Sequence, residues 1–137
     1  MSRKFAREST MKLIYQMELL DNFSDFLLEK YILENGLKEE EKTYVMEMYQ
    51  MVEEHKESID ESISKYSEGW KIERLSKIDL SVLRLAIAEI LYRDDIPVKV
   101  SINEALEISK KFSAEDSSKF VNGVLGAFVR GQDQNDI

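Results

Sequence analysis

The N-terminal segment contains side chains whose types and spacing suit the binding of a phosphate backbone and a base. Arg3, Arg7, Met11 and Tyr15 are four positions apart, so on a helix they share one line along the surface. Two guanidinium groups can bind phosphates, and a phenol ring offers a face for stacking. On spacing alone, a solvated helix face without a ligand is the simpler interpretation.

The charge of the chain is unevenly distributed. The net charge is −8, but residues 1–20 carry +2, residues 21–68 carry −9 and residues 69–137 carry −1. Electrostatic attraction for phosphate depends on the local patch more than on the total. A basic N-terminal segment on an otherwise acidic protein is therefore compatible with nucleic-acid binding.

No arrangement of residues suited to catalysis or metal binding is evident. The sequence has no cysteine and a single histidine, His55, which is most simply a surface or half-buried residue. There is no Gly-rich phosphate loop, no metal-ligand spacing and no nucleophile beside a base. No apolar run is long enough to span a bilayer, and the N-terminus lacks a signal-peptide core. We expect a soluble, cytoplasmic protein without catalytic residues, metal or cofactor.

Helical periodicity dominates the chain, and no stretch alternates as a strand would. The sequence predicts a first helix over Ser2–Leu20, a second capped by Ser24 or Asp25 and ending near Asn35-Gly36, and a third from Leu37 to about Tyr66 that bends or breaks between Glu54 and Asp60. Residues 67–69 are the candidate joint, which Trp70 is expected to pack. Lys77–Tyr92 is apolar nearly all round, which is typical of a central helix wrapped by others.

The stretch from Ile96 to Gly126 predicts two further helices. Pro97 ends the preceding helix near Asp94, because proline disfavours helical angles in the residue before it. Ser101 and Glu104 then have the spacing of a capping box, which predicts a helix start at Ser101.

A short polar segment separates the two predicted helices of this stretch. The apolar face of the first helix continues to Phe112, and a polar elbow at residues 113–118 starts the last helix. Gly123 and Gly126 lie inside that helix, where each glycine costs about 1 kcal/mol against alanine. We expect them to let another helix or the chain itself approach closely.

Two segments in this stretch, IPVKVSINEALEISKKF at residues 96–112 and AEDSSKFVNGVLG at residues 114–126, strongly resemble the NusB transcription antitermination factors. The likeness continues upstream through Ile78–Ala86 with Glu89. It is also found at the front, in Arg7-Glu8 followed by Leu13–Tyr15. It spans the chain from end to end and is weakest between residues 21 and 66.

The resemblance implies both fold and function. The expected fold is an all-α, NusB-like bundle of six or seven helices in one domain, with helical halves at about residues 1–68 and 69–131. NusB proteins bind the boxA element of ribosomal-RNA leader transcripts together with NusE, a small-subunit ribosomal protein. That complex joins RNA polymerase and lets it read through terminators, so the expected activity is recognition without catalysis.

The resemblance also implies which residues bind the partners. RNA would be contacted by Arg3, Lys4, Arg7, Tyr15, Phe112, Lys119, Phe120 and Asn122. Asp116 matches an acidic position near the NusE interface, and Asp79 matches one whose charge affects the complex. Arg84 either faces the RNA or protein partner or pairs with a carboxylate at the rim of the core.

Two other classes of protein stay open at this point. NusB-like domains also form the RNA-binding front end of ribosomal-RNA cytosine methyltransferases, but 137 residues leave no room for the catalytic domain or its cysteine. The second alternative is a helical adaptor that binds only protein. Self-association as a homodimer is also left open.

Overall fold

A computed structural model describes residues 2–135 of the chain, with side chains over residues 3–132. Within that range the chain forms seven α-helices and one 3₁₀ turn, and no strand: α1 (Ser2–Leu20), α2 (Asp25–Glu34), α3 (Glu39–Glu54), α4 (Lys56–Tyr66), the 3₁₀ turn (Ile72–Arg74), α5 (Lys77–Tyr92), α6 (Val98–Phe112) and α7 (Ser117–Asn135). The predicted all-α class is confirmed. Not one of these described helices is long and apolar enough to cross a membrane.

Helix α5 lies at the centre of the bundle because its sequence is apolar on every side. Every residue from Asp79 to Glu89 is buried, and α5 packs against α1, α3, α4, α6 and α7. A second, smaller apolar cluster joins α1, α2 and α3, and contains Leu13, Met17, Leu28, Tyr31, Val45 and Tyr49. The predicted central helix is confirmed, whereas the division into two helical halves stays a prediction.

Local signals set the ends of several helices as expected. The Ser24 hydroxyl accepts a hydrogen bond from the Leu27 N–H at 3.2 Å and so starts α2. The long third helix breaks at His55, inside the predicted interval, into α3 and α4. His55 is half-buried there, and its ring stacks on Tyr92 with 4.2 Å between centroids. The break is therefore held by a contact with the central helix.

The start of α6 differs from the prediction. The helix begins at Val98 directly after Pro97, which is its N-cap: the ψ of Pro97 is an extended 141°, and its carbonyl accepts from the Val100 and Ser101 N–H groups. Ser101 consequently lies one turn inside the helix, where it is buried and its hydroxyl donates to Glu89 Oε1 at 2.7 Å. The predicted capping box of Ser101 and Glu104 is wrong, because proline starts the helix earlier.

The glycine that permits close approach is also not one of those predicted. A Cβ at Gly123 would meet no described atom within 4 Å outside its own helix backbone, and one at Gly126 would meet only the Arg130 side chain. At Gly131, by contrast, a Cβ would lie 2.6 Å from Tyr66 Cζ and closer still to the Tyr66 hydroxyl. Gly131 is therefore the position where α7 comes close to the end of α4.

Candidate nucleic-acid interface

The first turn of α1 presents two basic residues to solvent. Arg3 and Lys4 are exposed, and the Arg3 guanidinium carbon lies 4.8 Å from the ring centroid of Tyr44 on α3. Lys4 Nζ is 4.0 Å from Glu104 Oε2, a long ion pair at the surface. Both side chains therefore reach solvent where the sequence predicted a basic patch.

One turn further along α1, Arg7 turns inward to a buried carboxylate. Arg7 Nε donates to Glu89 Oε2 at 2.7 Å, the Tyr44 hydroxyl donates to the same oxygen, and Ser101 Oγ donates to Glu89 Oε1. Burial lowers the pKa of Arg7, but the hydrogen bond and charge of Glu89 outweigh it and raise the pKa above its ordinary value. Burial, followed by the Glu89 charge, raises the pKa of Tyr44 well above its usual range. This carboxylate therefore ties α1, α3 and α6 to α5.

The prediction that Arg3, Arg7, Met11 and Tyr15 form one exposed ridge is therefore wrong for its two middle residues. Arg7 is 6% exposed and Met11 2% exposed, while Tyr15 is half-buried against the main core. Helix α1 packs against both α3 and α5, so its buried face is wider than a single stripe. Arg7 has no free face for RNA in this arrangement, whereas Arg3 and Lys4 do.

A group of two lysines and one aromatic ring lies between α1 and the end of α6. Lys12 Nζ is 5.0 Å and Lys111 Nζ 5.2 Å from the ring centroid of Phe112. Lys111 also forms an ion pair with Glu8 at 3.0 Å. Phe112 is half-buried, and both lysines are exposed. Phe112 was predicted from the sequence, whereas Lys12 and Lys111 were not; the Lys110-Lys111-Phe112 run was the available signal for Lys111.

The elbow before α7 and the first turns of α7 carry most of the remaining predicted residues. Asp116, Lys119 and Asn122 are exposed, and Phe120 is half-buried against the main core. The Phe120 ring meets Trp70 edge to face, with 6.4 Å between centroids. Trp70 was expected to pack the joint, but it is 56% exposed. The prediction for Trp70 is wrong: within residues 67–69 the buried side chain is that of Ser67, whose hydroxyl donates to the Trp70 carbonyl, while the indole projects outward.

Two of the predicted partner-binding residues hold the fold together from inside. Asp79 is buried, and its Oδ1 accepts from Ser113 Oγ at 3.0 Å in the elbow between α6 and α7. Arg84 is 2% exposed and donates to both oxygens of Asp60, at 2.8 and 2.9 Å, and to Glu18 at 2.7 Å. Of the two interpretations left open for Arg84, pairing at the rim of the core is the one observed. Neither side chain offers a free surface to a partner.

The side chains described here include exposed cations, an exposed amide and aromatic rings that are exposed or half-buried. Such groups bind phosphates and unstacked bases. Among the residues that the structure describes, no group of three His, Asp or Glu side chains could hold a metal ion. The arrangement suits recognition of an anionic polymer.

Comparison with known proteins gives a consistent result. The sequence model of the NusB family matches residues 4–130. The transcription antitermination protein NusB of Natranaerobius thermophilus is 48% identical over 128 residues, covering 91% of this chain and 92% of that protein. NusB of Acetivibrio thermocellus is 43% identical over 130 residues, covering 95% of this chain and 90% of that protein.

A solved structure of the antitermination factors NusB and NusE in complex with double-stranded RNA has the same fold. Its matching chain is 27% identical and superimposes with a TM-score of 0.86, covering 95% of this chain and 97% of that one. Sequence motifs, helical architecture and relatives therefore agree, and the chain belongs to the NusB family of transcription antitermination proteins.

Proposed function

We propose that this chain binds the boxA element of ribosomal-RNA leader transcripts together with NusE. The resulting complex joins RNA polymerase in the cytoplasm and carries it past terminators. Membership of the NusB family supports the proposal, as does the related NusB solved with NusE and double-stranded RNA. The chain acts by recognition, and no covalent step is part of the proposal.

The observation that carries the RNA-binding part is the group formed by Phe112, Lys12 and Lys111. An aromatic ring with two ammonium groups about 5 Å from its centroid combines a stacking surface with phosphate ligands. Arg3 and Lys4, both exposed, extend the positive charge along α1. RNA would therefore follow α1 from its first turn to the end of α6.

The residues at the start of α7 are proposed to extend this surface. Lys119 and Asn122 are exposed and supply a cation and an amide, and the half-buried Phe120 supplies an aromatic edge. Asp116 is exposed just before α7, where its carboxylate is accessible to a basic protein partner. Asp79 acts on this surface indirectly, because its hydrogen bond to Ser113 fixes the elbow that precedes α7.

The affinity of the isolated chain for RNA is proposed to be weak and sensitive to salt. The basic surface is small, and residues 21–68 carry a charge of −9 that repels phosphate. Binding of NusE beside the RNA would add contacts that the acidic chain lacks. The chain alone and the pair should therefore differ strongly in affinity.

Fluorescence anisotropy of labelled boxA RNA, with and without NusE, tests this function. We expect Lys12→Ala with Lys111→Ala to weaken binding and to flatten the slope of log K against log salt by about 0.7 for each phosphate that the variant no longer binds. Lys30→Ala with Lys65→Ala is the matched control, because these exposed lysines lie on α2 and α4.

Three results would contradict the proposal. Equal effects of the two double variants would mean that only total charge matters and that this surface is not the site. Binding to NusE without any binding to RNA would favour the protein-only adaptor. Sedimentation of the chain as a stable dimer that excludes RNA would favour self-association as its function.

A further inference from the structure

Trp70 borders a cleft between the α4–α5 connection and the start of α7. The cleft has a volume of about 200 Å³, and its lining includes Tyr66, Ser67, Glu68, Trp70, Lys119 and Phe120. Trp70 is 56% exposed, and its ring stands nearly perpendicular to that of Phe120, at 71°. Pockets for drug-sized ligands usually measure about 300–1,000 Å³. The cleft is smaller than these pockets, and its volume suits a single planar ring system such as a nucleic-acid base.

The backbone that carries Trp70 is fixed by its own hydrogen bonds. The buried Ser67 hydroxyl lies 2.9 Å from the Trp70 carbonyl, and the Trp70 N–H donates to the Ser67 carbonyl at 3.2 Å. Between them Glu68 and Gly69 adopt left-handed φ angles of 49° and 86°. A turn held in this way fixes the backbone from which the indole projects, and the edge-to-face contact with Phe120 restricts the ring itself. Both restrictions reduce the entropy lost on binding.

Cations surround the exposed indole. Lys119 lines the cleft, and Lys71 and Arg74 line a second depression on the far side of Trp70, with Glu68 present in both. All three basic side chains are exposed. None of them forms an ion pair with a carboxylate among residues 3–132, whereas Arg7, Arg84 and Arg93 all do. Three uncommitted cations are therefore available to phosphates beside one aromatic face.

From this geometry we infer that the Trp70 cleft, defined by Trp70, Phe120 and Lys119, binds one unstacked base of single-stranded RNA. The indole supplies the stacking face, and Lys71, Arg74 and Lys119 contact the phosphates on either side of that base. The inference rests on the proposed function, since it extends the RNA surface past α7 onto the α4–α5 connection. An apolar protein anchor is the poorer fit, because three exposed cations border the ring.

Trp70 is the only tryptophan in the chain, so its fluorescence reports on this cleft alone. Single-stranded boxA RNA should quench that fluorescence in step with the anisotropy change of the labelled strand. A strand of the same length with abasic positions keeps its phosphates but has no base to stack, and it should bind with little quenching. A double-stranded RNA, whose bases are already stacked, should also leave the fluorescence nearly unchanged.

Substitutions provide the second readout. Trp70→Ala should weaken RNA binding roughly five- to 150-fold, the range expected for losing one base–aromatic stack. Trp70→Phe should retain most of the affinity, because a ring still faces the cleft. Phe26→Ala is the matched control, since Phe26 is a 72% exposed aromatic residue on α2. Lys71→Gln with Arg74→Gln should reduce the salt slope by about 0.7 for each phosphate that these side chains bind.

The outcomes separate this inference from the proposed function. Absence of any anisotropy change with the wild-type protein and NusE together would overturn both. A normal anisotropy change with constant Trp70 fluorescence and an unaffected Trp70→Ala variant would overturn the cleft alone. A fluorescence change on adding NusE without RNA, absent from Trp70→Phe, would assign the cleft to the protein partner and also overturn the inference.

Discussion

Arg7 and Glu89 lie 82 positions apart in the sequence, and their side chains meet at 2.7 Å inside the bundle. The pair joins the first helix to the central one. Because Arg3 and Lys4 precede Arg7 by one turn, it also fixes the part of α1 that carries the exposed cations. Arg7, which the family resemblance assigned to RNA binding, thus lies beneath the proposed RNA surface and supports it.

Replacement of Arg7 should therefore lower the free energy of unfolding, and it should not remove a direct contact with RNA. Arg7→Ala removes the cation beside a buried carboxylate, and breaking a buried ion pair typically costs about 3–5 kcal/mol. Arg3→Ala changes an exposed side chain and should alter the free energy of unfolding by no more than about 0.5 kcal/mol. Urea denaturation measures both variants. A stable Arg7→Ala protein without RNA affinity would contradict this assignment and restore Arg7 to the interface.

The helices themselves could be predicted because their signals are local. Lys77–Tyr92 was recognisable from an apolar character that no single stripe explains, and the start of α2 from the hydroxyl of Ser24. Each signal involves residues within a few turns of one another. The residues that determine where a helix forms and begins therefore lie in the same short segment as the sequence pattern that predicts it.

The contacts of polar residues were harder to predict, because the same side chain can form a hydrogen bond with a local or a distant partner. Ser101 has the spacing of a cap, but its hydroxyl bonds to Glu89, twelve positions earlier. Arg7 has the spacing of a surface ridge, yet its partner lies on another helix. The exposure of Trp70 likewise depends on how α7 packs beside the joint. Such choices are decided by tertiary packing, which spacing does not contain.

Glu18 should carry a pH-dependent part of the stability. Burial alone would raise the pKa of Glu18, but hydrogen bonds from Arg84 and Lys77 lower it below the ordinary value. A carboxylate of this kind stabilises the fold above its unfolded pKa of about 4.3, and the stabilisation is lost as the pH falls through the lower, folded value. Glu18→Gln should therefore be less stable than wild type at neutral pH, with a gap that narrows below about pH 4.

Urea denaturation at a series of pH values measures that gap. Glu29→Gln is the control, because Glu29 is an exposed carboxylate on α2 and should show no comparable gap at any pH. A stability difference between Glu18→Gln and wild type that stays constant from neutral to acid pH would show that the ionised carboxylate is not responsible.

The glycines of α7 should respond in opposite directions to alanine. Gly123→Ala adds a methyl group to open space and should stabilise the protein by about 0.5–1 kcal/mol through helix propensity. Gly131→Ala gains the same propensity, but its Cβ meets the Tyr66 hydroxyl, and overpacking of this kind typically costs about 1–3 kcal/mol. Thermal unfolding followed by circular dichroism compares them. Tyr66→Phe should recover part of the stability that Gly131→Ala removes, and equal effects at both glycines would refute the close approach.

The acidic surface of α3 and α4 should act by excluding RNA from the wrong face. Exposed Glu54, Glu57 and Glu61 border one shallow depression there. Tyr49 lies close to acidic residues of the same half of the chain. Burial raises the pKa of its phenol to about 12, and the negative charges of Asp25 and Glu53 contribute further to the increase. A field of this sign repels phosphate over the Debye length of about 10 Å at 0.1 M salt.

Reversal of Glu54, Glu57 and Glu61 to lysine should therefore raise the affinity for RNA of unrelated sequence and leave the affinity for NusE nearly the same. The salt slope should steepen by about 0.7 for each additional phosphate bound, as measured by anisotropy at several salt concentrations. Changing the same three residues to glutamine removes the repulsion without adding cations, so it should raise the affinity by a smaller amount and leave the slope nearly unchanged. If the triple glutamine variant kept its fold but failed to bind NusE at high salt, where long-range attraction is screened, the acidic face would be the partner's docking surface.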